Sequence, residues 1–307
     1  MKKTLILSLF LIIGYGLSAQ QDALFSQYMF NKLVVNAAYA GSRDVLSATA
    51  VNRYQWVGLD GGPKTLTFSL HSPLRNEKIA VGMYLYSDKI GMIHDYGFMF
   101  NYAYRLLLGD GKLSFGIQAG LKHIKIEWDK STVFDQDDIY WLTQPVTKPR
   151  IDANFGLYYY NELFYVGLSS KNLFENSIIQ SKDKDVIYTT LARHFYLMGG
   201  YAFKISEDFI FRPSALIKYT LHAPPNMDFN ASAFFFNTLW LGLSYRTWNN
   251  AAVFLTQIVI TDNLYVGYSY DTYLNSEVQT HFKGSHEIMV GYDINLFKSR
   301  QLTPRYF

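Results

Sequence analysis

The sequence predicts an all-β protein, a 14-stranded antiparallel transmembrane β-barrel that follows a short N-terminal non-strand segment. Three observations support this fold class: side chains that alternate in polarity over about ten residues at a time, an excess of aromatic residues, and connections that fall into a short and a long class. Of the 307 residues 17% are aromatic, including 25 Tyr and 23 Phe. Tyr and Trp concentrate where a membrane protein meets the lipid headgroups, so this composition favours a membrane protein.

The clearest alternation lies near the end of the chain, at residues 284–296. One face is apolar or aromatic, apart from its first residue, and carries His286, Ile288, Val290, Tyr292, Ile294 and Leu296. The other face is polar or small, with Met289 as the exception, and carries Glu287, Gly291, Asp293 and Asn295. A period of two residues indicates a strand with one apolar and one polar face. In a membrane barrel the apolar face contacts lipid and the polar face lines the lumen.

Charged residues recur on the polar faces of the predicted strands. A packed soluble core excludes such charges, whereas a hydrated lumen accepts them. This reasoning assigns ten residues to the barrel interior: Arg105, Lys122, Lys204, Arg212, Lys218, Asp228, Arg246, Asp271, Glu287 and Asp293. They could form a selectivity ladder or ion pairs that fill a narrow lumen, and the sequence leaves both alternatives open.

The connections between the predicted strands differ systematically in length. Fourteen strands are predicted, at residues 45–57, 64–73, 79–87, 96–108, 112–126, 151–160, 163–170, 192–205, 209–220, 227–236, 239–246, 251–260, 264–273 and 285–296. One alternate set of connections is short: 75–78, 109–111, 161–162, 206–208, 237–238 and 261–263. The other set is longer or irregular: 58–63, 88–95, 127–150, 171–191, 221–226, 247–250 and 274–284. Short periplasmic turns and long extracellular loops are typical of an outer-membrane barrel, and the alternative, a secreted β-sandwich, gives no reason for such sorting.

The first residues have the features of a secretory signal peptide. Lys2 and Lys3 precede an apolar run, residues 5–17, that is too short to span a bilayer as a helix. Small residues around Ala19 offer a cleavage site, so we expect an exported chain that begins near Gln20. The chain then divides into three parts: a signal peptide at 1–19, an N-terminal segment at 20–43 that plugs the lumen or docks at the periplasmic rim, and an outer-membrane β-barrel at 44–307.

The overall charge and the absence of cysteine exclude several classes of protein. There are 28 Lys and Arg, two of them in the leader, against 25 Asp and Glu. This near balance implies no nucleic-acid partner. The chain has no Cys, which excludes a disulfide framework and a lipid-anchored cysteine.

No group of residues in the sequence predicts an enzyme. The seven His are scattered and show no metal-ligand spacing: His71, His94, His123, His194, His222, His281 and His286. His94-Asp95 and His286-Glu287 are adjacent pairs, but neighbouring residues of a strand point to opposite faces. The acidic run at 135–138 has carboxylates suited to Ca²⁺, but it lacks the Gly and the distal Glu of a complete loop, which favours a solvated loop. The sequence therefore predicts no catalytic residue, no metal site and no cofactor.

Short segments spread over the mature chain carry a family resemblance. Gln-Asp-Ala-Leu-Phe-Ser-Gln-Tyr-Met-Phe-Asn at 21–31 continues through 36–41, and further matching segments lie at 52–58, 61–65, 69–73, 88–91, 212–214, 217–219, 284–289 and 303–307. In these segments the chain resembles the PorP/SprF family of outer-membrane proteins from Bacteroidota. The family often carries Pro where this chain has Lys32 and Ala37, which leaves the N-terminal segment less rigid.

The resemblance implies an accessory outer-membrane component of the type IX secretion system and of the gliding apparatus that uses it. The expected partners are the outer-membrane bilayer, periplasmic ring or motor components, and secreted cargo such as large adhesins. The family-signature residues are then candidates for partner contact: Phe25, Gln27, Tyr28, Asn31, Tyr39, Arg53, Trp56, Pro63 and Lys64. The irregular segments 22–43, 127–150 and 171–191 are also expected to carry specific contacts. The alternative function is an outer-membrane diffusion channel or small-solute transporter.

Overall fold

Fourteen antiparallel strands close into a barrel within the part of the chain that the structure describes. The structure, a computed structural model, describes residues 25–128, 148–180, 187–221, 223–274 and 283–296. The predicted signal peptide, the acidic run 135–138, His222 and His281 lie outside these residues. No helix in the described ranges is long and apolar enough to cross a membrane.

Each barrel strand pairs with the strands that flank it in sequence, and the first pairs with the last to close the ring. In chain order the strands are β1 Leu46–Tyr54, β2 Lys64–Pro73, β3 Ile79–Ile90, β4 Ile93–Leu108, β5 Gly111–Ile126, β6 Arg150–Tyr160, β7 Phe164–Lys171, β8 Ser177–Gln180, β9 Ile187–Thr190, β10 His194–Tyr201, β11 Phe203–Ser206, β12 Phe209–Thr220, β13 Asn226–Phe235, β14 Leu239–Arg246, β15 Ala251–Val259, β16 Leu264–Tyr273 and β17 Ser285–Ile294. β10 and β11 together form one barrel strand, since both pair with β12 on either side of Ala202. β8 and β9 form a separate hairpin. The predicted 14-stranded antiparallel barrel is therefore confirmed.

The barrel wall has an apolar outer face and a polar inner face. In β17, Glu287 and Asp293 are buried inside, while Ile288 and Val290 are 49% and 44% exposed on the outside. Met289, the exception in the alternation, is fully buried on the inner side. The period of two residues thus assigns the lipid-facing and lumen-facing sides correctly.

Nine of the ten predicted lumen charges lie inside the barrel, and the tenth, Lys204, is exposed at its edge. Lys204 is exposed in β11, a four-residue strand whose residues are all exposed. The register between β10 and β12 continues into β11, so Lys204 pairs with the buried Ile210 and stands on the inward-facing side, close to the turn at 207–208. The inward direction predicted for Lys204 is therefore correct, but the residue lies at the short-turn rim, where it is exposed.

Two predicted loops also contain regular structure. The predicted irregular connection at 88–95 is wrong, because β3 and β4 continue toward each other until Ile90 faces Ile93. Gly91, with a φ of +55°, adopts the left-handed conformation that such a tight two-residue turn requires. The predicted irregular stretch 171–191 contains the β8–β9 hairpin.

The two ends of the barrel are distinguished by their connections. We call the end that carries the turns at 74–78, 109–110, 161–163, 207–208, 236–238 and 260–263 the short-turn rim. The opposite end, where β1 joins β2 and β16 joins β17, is the long-loop rim. In outer-membrane barrels these ends face the periplasm and the cell exterior, respectively.

Residues 25–45, here called the inner segment, lie inside the barrel. All of them except Phe30 and Arg43 are buried. The segment has no strand and contains two single-turn 3-10 helices, η1 Lys32–Val34 and η2 Ala37–Tyr39. It begins near the long-loop rim and ends near the short-turn rim, where β1 starts. The chain therefore traverses the lumen before it forms the first strand of the wall.

Candidate functional site: the barrel lumen

A group of charged side chains, here called the lumen network, lies inside the barrel near the long-loop rim. Its six members come from six different strands and carry three positive and three negative formal charges: Arg53, Lys218, Asp228, Arg246, Asp271 and Glu287. All except Lys218 are at most 2% exposed. Burial of a charge is strongly unfavourable unless an opposite charge lies close to it, and here the formal charges cancel.

Arg53 on β1 is the centre of one half of the network. Its Nη2 lies 2.6 Å from Oδ2 of Asp271, and its Nη1 lies 3.2 Å from Oε2 of Glu287. These carboxylates stand on β16 and β17, so the guanidinium joins three neighbouring strands. One cation thereby holds two carboxylates that would otherwise repel each other in the barrel interior.

Arg246 on β14 connects this half to the other. Its Nη1 lies 3.4 Å from Asp271, and its Nε lies 3.5 Å from Oδ1 of Asp228. Oδ2 of Asp228 lies 2.8 Å from Nζ of Lys218. The network thus forms a continuous chain of ion pairs across one side of the lumen.

The start of the inner segment is bonded directly to this network. The backbone nitrogens of Ser26 and Gln27 each donate to a carboxylate oxygen of Glu287 at 2.8 Å. The Ser26 hydroxyl donates to Asp271 at 2.7 Å and accepts from Arg53 at 2.7 Å. Hydrogen bonds to charged groups are roughly twice as strong as neutral ones, so these contacts fix the segment firmly to the wall.

The middle of the inner segment fits against wall positions that have no side chain. A Cβ at Gly116 would overlap the backbone of Ala37 and Ala38, and a Cβ at Gly156 would overlap the side chain of Asn36. Asn36 Nδ2 donates to the carbonyl oxygen of Leu157 at 2.9 Å, and its Oδ1 accepts from the Ala38 backbone at 2.9 Å. The close approach of the segment to the wall explains why these two positions are glycine.

Lys32 is fully buried in the same region. Its Nζ donates to the carbonyl oxygen of Met29 at 2.8 Å and lies 4.6 Å from the ring centroid of Tyr165. The aromatic ring and the carbonyl oxygen stabilise the ammonium in place of a carboxylate.

A second set of ion pairs holds the end of the inner segment at the short-turn rim. Arg105 Nη1 lies 2.8 Å from Oδ1 of Asp44 and donates to the carbonyl oxygen of Gly41 at 2.6 Å. Lys112 Nζ lies 2.9 Å from Oδ2 of Asp44. Arg43 is paired with the wall in the same way, at 2.7 Å from Asp293. The segment is therefore bound to the wall by charged groups at both ends.

The nine family-signature residues lie in two regions of the structure. Six are buried inside the barrel: Phe25, Gln27, Tyr28, Asn31, Tyr39 and Arg53. The other three lie at the long-loop rim, where Trp56 Nε1 donates to the Tyr273 hydroxyl at 2.6 Å, Pro63 is buried and Lys64 is exposed. The buried six contact the rest of the same chain, and contact with a separate partner stays a prediction for all nine.

The described part of the lumen contains ion pairs and hydrogen bonds between the wall and the inner segment. Within the described residues, no group of three or more His, Asp or Glu stands close enough to bind a metal ion. Each carboxylate of the lumen network has a basic partner on another strand of the wall. The arrangement can hold the inner segment in place.

Several solved outer-membrane structures resemble this barrel. They include the monoaromatic hydrocarbon channel CymD, with a TM-score of 0.52, 11% identity and coverage of 88% of this chain and 92% of that chain. The toluene transporter TbuX of Ralstonia pickettii has a TM-score of 0.51, 9% identity and coverage of 85% and 92%. A mutant of the monoaromatic hydrocarbon channel TodX has a TM-score of 0.50, 11% identity and coverage of 86% and 94%. At these identities the likeness shows the fold alone.

The sequence itself gives a more specific assignment. No protein of curated function matches the chain. Residues 17–292 match the family described as type IX secretion system membrane protein PorP/SprF. This match spans most of the chain, and the closed barrel with its apolar outer wall agrees with an outer-membrane location. The chain therefore belongs to the PorP/SprF family of type IX secretion system membrane proteins and is a β-barrel of the outer membrane.

Proposed function

We propose that this protein is a non-enzymatic component of the type IX secretion and gliding machinery that supports secretion or surface anchoring of large cargo proteins such as adhesins. Membership of the PorP/SprF family supports the secretion role. The observation that carries the scaffold role is the inner segment, which is bonded to the wall at both ends of the lumen. The segment occupies the space that a diffusion channel would keep open, so the protein acts through its contacts with other proteins.

The two rims are the surfaces available for these contacts. Cargo on the cell surface would meet the long-loop rim, which includes Trp56 and Lys64 and at which β5 ends and β6 begins. Periplasmic ring or motor proteins would meet the short-turn rim. The buried signature residues then act indirectly, because they fix the inner segment and thereby the shape of the barrel.

A channel for small solutes is the second candidate function, because two of the solved structures that share this fold, CymD and TodX, are monoaromatic hydrocarbon channels. It requires the inner segment to leave the lumen. A cavity beside Met29, Arg212 and Trp240 has a volume of 20 Å³. That is room for about one water molecule and is too small for an organic solute. At this point the inner segment leaves no room for an organic solute, which supports the scaffold over the channel.

Co-purification tests the proposed role. We expect the tagged protein, extracted from the native outer membrane in mild detergent, to retain periplasmic ring or motor proteins or a large surface adhesin, detected by mass spectrometry. A tagged outer-membrane barrel from outside the family, expressed at the same level, serves as the control. Recovery of the barrel alone would count against the scaffold. Variants that lack one long loop locate the contact, and a loop whose deletion leaves recovery and cargo display unchanged is removed from the proposal.

A further inference from the structure

Basic side chains form a continuous row on the outer wall of β2 to β5. The strand registers place Lys64 opposite Lys89, Lys89 opposite His94, and His94 opposite Lys125. Each of these residues lies within two positions of the long-loop end of its strand. We call these four residues the basic row.

The basic row faces away from the lumen. Residues that alternate with it point inward, as shown by Thr65, which is 4% exposed and donates to Asp88 at 2.5 Å. On the outward side the same strands continue toward the middle of the membrane with exposed apolar side chains: Leu66, Leu85, Phe98 and Leu121. The basic row therefore lies along the outer boundary of the apolar band.

The protein itself compensates this charge only in part. Glu127 Oε2 lies 3.3 Å from His94 Nε2 and 3.9 Å from Lys89 Nζ. Lys64 and Lys125 form no ion pair with any carboxylate among the residues that the structure describes. Like charges directly opposite each other destabilise a sheet. The juxtaposition of Lys64 and Lys89 is therefore unfavourable unless an anion lies between them.

The charge is confined to one side of the barrel. At the long-loop ends of β12 to β16, the outward-facing residues are uncharged: Tyr219, Met227, Tyr245, Ala252 and Thr272. The row continues from Lys64 to Tyr54 and then to His286, which adds an aromatic ring at the same boundary. Tyr side chains at this depth are typical of the headgroup region of a bilayer.

We propose that the basic row binds the phosphate groups of a phosphorylated lipid in the outer leaflet of the outer membrane. Lysine ammonium groups bind phosphate as point charges, and their aliphatic stems extend along an apolar wall toward the headgroups. The exposed Leu66, Leu85 and Leu121 next to the row provide the surface for acyl chains, which a soluble phosphate would leave uncovered. The ligand is therefore a lipid, and its binding would orient this side of the barrel in the membrane.

Neutralisation of the three lysines tests this proposal. The purified protein in a neutral detergent is titrated with bisphosphorylated lipid A, and the bound lipid is measured together with the thermal unfolding midpoint. We expect the lipid to raise the midpoint of the wild type and to bind at least about tenfold more weakly to the combined variant Lys64→Gln, Lys89→Gln, Lys125→Gln. The control, Lys78→Gln with Lys204→Gln at the short-turn rim, should keep the affinity of the wild type.

Two further comparisons show whether the loss of lipid binding comes from the basic row itself: the stability of the variants without lipid, and the response to ligands that lack either the acyl chains or the phosphates. Without lipid, the triple variant should unfold at the same temperature as the wild type or at a higher one, because it lacks like-charge contacts. A lower affinity for lipid then reflects the binding surface and not misfolding. Equal lipid affinity in the wild type and the triple variant would overturn the proposal. It would also be overturned if inorganic phosphate, or the same lipid without its phosphates, raised the midpoint of the wild type as much.

Discussion

Replacement of Gly116 by leucine is expected to open the barrel to ions. Gly116 faces the lumen, and any side chain there overlaps the backbone of Ala37 and Ala38. The backbone at this point belongs to η2 and cannot rotate aside as a side chain can, so the inner segment must leave its position. We expect the wild-type protein in a planar bilayer to show no ion conductance and the variant to show discrete conductance steps.

A leucine at Gly199 is the matched control for this experiment. Gly199 faces outward, and a Cβ there would meet its nearest neighbour at 3.5 Å, an ordinary contact. The Gly199→Leu protein should remain closed. A milder variant, Gly156→Ala, displaces the segment through Asn36 if leucine at Gly116 prevents folding. A steady conductance of the wild type would contradict a lumen closed by the inner segment.

Substitution of Arg53 by alanine is expected to lower the free energy of unfolding by about 3–5 kcal/mol, the range for removal of one partner from a buried ion pair. Arg53 is fully buried and compensates both Asp271 and Glu287. Its loss leaves the lumen network with one net negative charge. It also removes the donor to the Ser26 hydroxyl, so the start of the inner segment is expected to loosen.

Urea unfolding of the protein in detergent, followed by circular dichroism, measures this difference. Arg193→Ala is the matched control, because Arg193 lies 3.5 Å from Glu175 in a pair whose side chains are 35% and 44% exposed. A surface pair of this kind contributes less than about 1 kcal/mol. Similar destabilisation of the two variants would show that Arg53 in the lumen network stabilises the protein no more than a surface ion pair does.

The barrel could be predicted from the sequence because the alternation of polarity that indicates it can be recognised within each single strand. Alternation along β17 separates lipid-facing from lumen-facing residues within a single strand, and the exception at Met289 changes neither face. The tight turn at Gly91 was missed because the alternation of polarity breaks beside it: Ile90 and Ile93 belong to the inward-facing series, and Lys89 and His94 belong to the outward-facing one. Lys204 continues the alternation of its own strand, and the pattern of polarity does not show that this position lies at the rim, where the side chain is exposed.

A local sequence pattern could not predict the lumen network or the path of the inner segment. Arg53 pairs with Asp271 and Glu287, more than 200 positions away, and only closure of β1 on β17 brings them together. Ser26 lies in the matching segment 21–31, but residues 25–45 have no periodicity that indicates where they lie. The glycines at 116 and 156 alternate with apolar residues as many strand glycines do, so their contact with η2 and Asn36 shows only in three dimensions.

The amount of large type IX cargo on the cell surface tests the proposed role most directly. It should be compared in the wild type, in a strain that lacks this gene, and in the same strain with the gene restored. We expect one or a few large surface proteins to be lost without the gene and to return with it, while uptake of small solutes is unchanged. Unchanged cargo display together with reduced uptake of small solutes would contradict the proposed secretion role and favour the channel.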